Sequence, residues 1–199
     1  MRFMHCCCQI SIRFCAGLII FCSLNSCGHL SEKEYRKWSE ASANGLHYAR
    51  HIDGINLDVR YLTTEFRWLQ AKKPELFEMW MRENRNTHHF ILKINWQSFP
   101  NKITSRELNY YLSYNLQNDI YLQSSDGSKI PCMVAHLENP QISSHDKIVH
   151  LSFDSNSLTL PEFTFVIESE VISSVPIKMH FDLSKLPVLK LWSRVLEKK

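Results

Sequence analysis

Residues 175 to 183 alternate without a break. Val175, Ile177, Met179, Phe181 and Leu183 share one side, while Lys178, His180 and Asp182 fall on the other. A period of two is the mark of an extended strand with one buried and one wet face. The pattern recurs upstream. Val149, Leu151 and Phe153 share a face, as do Phe163, Phe165 and Ile167. Phe90, Leu92, Ile94 and Trp96 do the same within His88 to Trp96, and Leu57, Val59 and Tyr61 alternate with Asn56, Asp58 and Arg60. Asp126-Gly127 lies between two further extended stretches, Asp119–Gln123 and Lys129–Glu138, and reads as a hairpin turn because both residues tolerate positive φ. One-sided strands in this number fit an antiparallel sheet that faces water on one side. Pro131 cannot donate to a ladder, so its strand is expected to lie at an edge or to start there.

Helical signals cluster in the first half. Residues 64 to 83 read as helical with a break at Pro74, and Thr104-Ser105-Arg106-Glu107 is a capping box followed by Leu108, Tyr111, Leu112 and Leu116 at helical spacing. The fold class is therefore α+β: a mainly antiparallel β-sheet, sandwich-like or curled, with helices inserted in its first half. Residues 28 to 44 are polar and read as a spacer, although Ser31-Glu32-Lys33-Glu34 is able to open a short helix. At the other end, Val188, Leu191, Trp192 and Val195 repeat at helical spacing, while Pro187 to Trp192 also suits a strand. A basic helix on a membrane surface is a third option for this tail.

The amino terminus decides how much of the composition counts. Arg2 and Arg13 precede Phe14 to Leu24, eleven residues without a charge. A spanning helix needs about 20 apolar residues, whereas the core of a secretory signal needs about 7–15. This run reads as a signal peptide. Its end, Leu24-Asn25-Ser26-Cys27, resembles the lipobox of bacterial lipoproteins. The resemblance implies cleavage before Cys27, diacylglycerol on the Cys27 sulfur and acylation of the new amino terminus. It also implies residence in the cell envelope, and Gly28, where an Asp favours inner-membrane retention, leans toward the outer membrane. The expected organisation is a signal peptide over 1–26, an anchor and tether over 27–44, and a globular domain over 45–199.

With residues 1–26 removed and Cys27 lipidated, seven cysteines become one thiol, Cys132, so no intrachain disulfide is possible. Loss of Arg2 and Arg13 leaves 21 basic residues against 20 acidic. Such a balance gives no electrostatic footprint for nucleic acid.

Chemistry-bearing patterns are sparse. Cys132 and His136 share parity on a strand, but four residues separate them by about 13 Å, too far for a dyad. With a turn centred on Asp126-Gly127, Tyr121 is expected opposite Cys132, and Cys132 reads as buried and inert. His88 and His89 point to opposite faces of their strand, so they cannot ligate one ion in regular geometry. His150 and His180 both fall on wet faces, where Asp146 or Asp182 would join them if their strands were neighbours. No nucleophile elbow, phosphate loop or zinc-ligand spacing is present, and neither a cofactor nor a metal is expected. Tyr111 belongs to the apolar stripe, whereas Tyr110 and Tyr114 form a second i,i+4 pair beside it and are the candidate partner-binding residues.

These observations favour a non-enzymatic envelope lipoprotein that is held to the membrane by lipid and binds a protein partner of the envelope. The alternatives are a lipid-anchored hydrolase of envelope glycans, with acids or histidines assembled from separate strands, and a lipoprotein that carries an apolar ligand. Converging carboxylates or histidines would mark the hydrolase, an empty apolar cavity the carrier, and a filled interior with an aromatic patch the binding module.

Overall fold

A computed structural model describes residues 29–71, 77–96, 104–138, 145–155 and 161–190. Within them the sheet has eight strands: β2 (His47–Ile52), β3 (Ile55–Leu62), β4 (Thr87–Trp96), β5 (Ile120–Ser124), β6 (Lys129–Leu137), β7 (Asp146–Asp154), β8 (Glu162–Ile167) and β9 (Ile177–Asp182). Their spatial order is β2-β3-β4-β7-β6-β5-β8-β9, and every neighbouring pair is antiparallel. The sheet curls until its first and last strands meet. The Tyr48 ring of β2 lies 4.9 Å from that of Phe181 on β9, and the Tyr48 hydroxyl donates to the His180 carbonyl. The α+β, antiparallel reading holds, and of the two packings the chain adopts the curled sheet.

Alternation explains what fills it. Leu57 and Val59 of β3, Leu92 and Ile94 of β4, and Val149 and Leu151 of β7 all point inward and are buried. One end of the interior is packed with rings. Phe90 touches Tyr61, Phe153, Phe163, Phe165 and Phe181 at centroid distances of 4.9 to 5.9 Å. Edge-to-face contacts dominate, as expected for rings with a negative face and a positive edge.

At the other end, the capping-box helix α4 (Ser105–Tyr110) continues through a π-helical turn (Tyr111–Asn115) and a 3-10 turn (Leu116–Asn118). Thr104 accepts from the Glu107 amide while the Glu107 carboxylate accepts from Thr104 N–H at 2.8 Å. Leu108, Leu112 and Leu116 are buried in the sheet's core, and the two later turns lie against β6.

A second, smaller core sits outside the sheet. There α1 (Glu32–Glu40), α2 (Thr64–Ala71) and α3 (Phe77–Asn84) bring Tyr35, Phe66, Trp68 and Leu69 together, with Leu62, Phe77 and Trp80 around them. The spacer reading of residues 28–44 is corrected by this packing. Ser31 and Glu34 form a capping box, and Tyr35 is fully buried with its hydroxyl donating to Thr63 Oγ1 at 2.9 Å. Trp38 packs against both cores. In addition, β1 (His29–Leu30) pairs in parallel with β10 (Val188–Leu189), tying the two ends of the described chain together. The tail is thus a strand at Val188–Leu189, and its later residues, Leu191, Trp192 and Val195 among them, lie outside the described residues. Pro74 and Cys27 do as well.

Three further expectations are corrected. The register puts Ser124 opposite Ser128, so the β5–β6 turn closes over three residues, Ser125 to Gly127, with Gly127 at φ +87°. Pairing therefore shifts by one: Tyr121 faces Pro131, and Cys132 faces Phe153 of β7. β6 is also an interior strand. It accommodates Pro131 because Ser124 N–H donates to the Ser128 carbonyl, which makes Tyr121–Pro131 a non-hydrogen-bonded pair by alternation. The nitrogen of Pro131 then points toward β7, whose pairing begins only at Cys132. Val175 falls before β9 and is exposed. Among the described residues, no helix is long and apolar enough to cross a membrane.

Candidate functional site

The interior offers no room for an apolar cargo at its ring-packed end, because Phe90, Phe153, Phe163, Phe165 and Phe181 occupy it and are all essentially inaccessible. His88 joins them from β4. Its ring lies 5.3 Å from Phe163 and 6.0 Å from Tyr61, and its Nδ1 is 3.3 Å from the Tyr61 hydroxyl. Only 4% of the residue is accessible, and Nε2 has no hydrogen-bond partner among the described residues. Burial pushes the His88 pKa down to about 4, against the opposing pull of Asp154.

Cys132 is buried, as expected, and its thiol donates toward the carbonyls of Val134 at 3.2 Å and Ser152 at 3.7 Å. Desolvation raises its pKa to about 11. A thiol that resists ionisation is a poor nucleophile, and among the described residues no imidazole is a hydrogen-bond partner of Cys132.

One Ser–His contact escaped the sequence reading. His89 of β4 and Ser152 of β7 are cross-strand partners on the outer face, and Ser152 Oγ is 2.9 Å from His89 Nδ1. Only the strand register could have brought them together. The arrangement is weak as a nucleophile and base. Burial, then Arg67 and His88, push the His89 pKa down to about 4, and among the described residues its Nε2 lacks the orienting partner that a working triad supplies.

The outer face of β2, β3, β4 and β7 carries an open groove of about 670 Å³. A polar row crosses its floor. His51 Nδ1 is 2.7 Å from Asn56 Oδ1, Asn56 Nδ2 donates to Asn95 Oδ1 at 3.3 Å, and Asn95 Nδ2 donates to Asp146 Oδ1 at 2.5 Å. His47 pairs with Asp58 at 2.7 Å beside it. These groups largely satisfy one another, which accounts for the row as a wet sheet face.

His150 and His180 are not brought together. His150 pairs across the ladder with His136 of β6, and His180 with Thr164 of β8. Each has its own carboxylate, Glu138 at 3.3 Å and Glu162 at 3.9 Å respectively.

Tyr110 and Tyr114 stand where helical spacing places them, on the outside of the α4 segment. Their rings are 5.0 Å apart, and they are 61% and 64% exposed. Between them in sequence, Tyr111 turns inward and its hydroxyl donates to Asp119 Oδ2 at 2.7 Å, with Ser169 Oγ also in contact. The exposed pair is thereby mounted on a turn anchored from below. Met133 and Val134, on the neighbouring strand β6, are exposed as well.

No protein-family model matches the chain, and no curated protein matches it. Among solved structures, it is similar to a DUF4426 family protein from Pseudomonas aeruginosa PAO1. The TM-score is 0.35 and the identity 7%, over 71% of this chain and 96% of that one. At that distance the likeness says nothing about function.

Proposed function

We propose that the chain is a lipid-anchored envelope lipoprotein whose β-rich domain works by binding a protein partner. The observation that carries this reading is the pairing of a ring-filled interior with the exposed Tyr110–Tyr114 stack. Large amphipathic rings held rigid at a surface supply contact area at low entropic cost, and such residues dominate binding energy where they become buried. The ring-filled interior disfavours the carrier alternative. Against the hydrolase stands His89, a weakened base beside Ser152 whose Nε2 has no orienting partner among the described residues. Residence at the membrane rests on the lipobox-like Leu24–Cys27, and Gly28 leans toward the outer membrane under the same reading.

Affinity capture with the acylated protein from its native membrane, read by mass spectrometry, tests the binding surface. A specific partner recovered by the parent protein is lost when Tyr110 and Tyr114 are both changed to Ser. Equal recovery by the double variant rejects the tyrosine surface. Recovery of no specific partner, together with hydrolysis of envelope glycans by the purified protein, rejects the binding reading altogether.

A further inference from the structure

The geometry points to a surface site for a divalent transition cation, zinc first, built by His136, Glu138 and His150 on the outer face of β6 and β7. The strand ladder assembles it. His136 is the last residue but one of β6 and Glu138 directly follows the strand, still bonded to β7 through its N–H, so both side chains leave the same face of the sheet. His150 of β7 is the direct cross-strand partner of His136. Glu138 N–H donates to the Ile148 carbonyl at 2.8 Å. By alternation, His136 and His150 are also a hydrogen-bonded pair, with Cα atoms about 5.5 Å apart. Two imidazoles and a carboxylate thus project into water from adjacent positions, a mixed nitrogen and oxygen donor set suited to zinc and its neighbours.

One separation is already that of a metal site. His150 Nε2 and Glu138 Oε2 are 3.3 Å apart, long for a charge-assisted hydrogen bond, which falls at about 2.7–2.9 Å. Tetrahedral zinc, with bonds of about 2.0–2.1 Å to nitrogen and 2.0–2.2 Å to oxygen, holds adjacent donors about 3.3–3.4 Å apart. The third donor needs a side-chain rotation, since no three such groups among the described residues converge in their present rotamers. His136 is exposed and turns at little cost. Solvent then fills the remaining position.

The other histidine–carboxylate pairs lack this combination. His47 and Asp58, at 2.7 Å, are at hydrogen-bond length, and the residue opposite His47 is Arg60, a cation. His180 lies 3.9 Å from Glu162 and faces Thr164. Among the described residues, only His150 has both a carboxylate at the bite distance and a second imidazole across the ladder. The inference is independent of the tyrosine surface and of lipidation.

The test is calorimetric titration of zinc chloride into the full chain, free of a histidine tag. Accessible thiols are alkylated first, because the leader and Cys27 carry six cysteines. The expected result is one zinc bound by the parent protein, lost in both His136→Gln and His150→Gln and retained in His180→Gln. On the parent protein, zinc should move the Cε1–H resonances of His136 and His150 and leave that of His180 in place, a readout that needs no variant. Absence of zinc binding below millimolar concentration, binding that survives both substitutions, or a resonance shift confined to other histidines would overturn the site.

Discussion

Acid should unfold this protein earlier than its carboxylates alone require, and His88 is the reason. The side chain sits among Tyr61 and Phe163 with Nε2 unpartnered, so protonation places a charge in a ring-lined interior. Its pKa is pushed down to about 4 by burial, from an ordinary 6.5. In the unfolded chain the same imidazole takes up its proton near pH 6.5. The unfolded state therefore binds more protons between the two values, and stability falls as pH falls. The contribution is fully present above pH 6.5 and is lost progressively down to about pH 4. At 1.36 kcal/mol per unit, the loss is about 3 kcal/mol between pH 7.5 and pH 4. That is a sizeable share of the roughly 5–15 kcal/mol of a typical domain. His89 is lowered to about 4 as well and steepens the same slope, but it remains when His88 is replaced, so the difference between the two proteins reads His88. Urea unfolding at a series of pH values measures the slope. His88→Gln removes the titration, so the variant should lose about 3 kcal/mol less than the parent across that interval, whatever its stability at pH 7.5. An unchanged slope, or a His88 Cε1–H resonance that titrates near pH 6.5 in the folded protein, would refute the reasoning.

Other perturbations reach the remaining elements. Phe90→Ala removes the ring that touches five others and should cost about 3–5 kcal/mol in urea unfolding, the range for a large ring truncated in a core. Thr104→Ala deletes the side chain that accepts from the Glu107 amide; a loss of about 1 kcal/mol is expected, with Tyr110 and Tyr114 still exposed by solvent-quenched fluorescence. Cys132, with its thiol raised to about 11, should stay unreactive to a thiol-specific disulfide reagent at pH 8 in native protein and react fully in 6 M guanidinium. Cys27→Ser should abolish incorporation of labelled palmitate and leave the precursor uncleaved; continued labelling would remove the lipobox reading.

Strand positions were legible because period-two alternation is a local signal with a strong physical cause. The stretch read over residues 56 to 62 is β3, Ile55–Leu62, and the one from His88 to Trp96 is β4, Thr87–Trp96. Spatial order was not legible. β7 inserts between β4 and β6, and β5 lies between β6 and β8, placements set by long-range packing. The hairpin shows how a small error propagates. Asp126-Gly127 correctly marked the turn, but a three-residue loop with Gly127 at positive φ shifts every β5–β6 partner by one. The first helix failed differently. Its buried residues are few, Tyr35 and Ser39 with Trp38 half-buried, and nine residues rich in charge look like a tether. The signal was Tyr35 and Trp38 at i,i+3 behind a Ser31–Glu34 capping box, which a solvated spacer has no reason to carry.

Candidate sites divide along the same line. Tyr110 and Tyr114 were legible as a neighbouring pair because i,i+4 adjacency on a helix is determined by sequence spacing alone. His136 and His150 lie fourteen positions apart, on strands whose connection includes residues 139–144, and no spacing rule links them. What links them is register, and register in this sheet follows from burial. Leu137 faces Val149 and Ala135 faces Leu151; Leu137, Val149 and Leu151 are buried, and Ala135 packs against the same core. A slip of β6 by one residue would turn Ala135 and Leu137 into water and His136 into the core, away from His150. The bulge at Met133 absorbs the mismatch introduced before them, so the pairing from Val134 onward is set by the apolar residues between the polar ones. The outward chemistry of β6 and β7 is thus held in place by the inward packing of the same strands. It follows that Leu137→Ala, which touches no donor, should loosen this end of the pairing and weaken zinc binding along with stability. His180→Gln, on the far side of the sheet, should leave both unchanged.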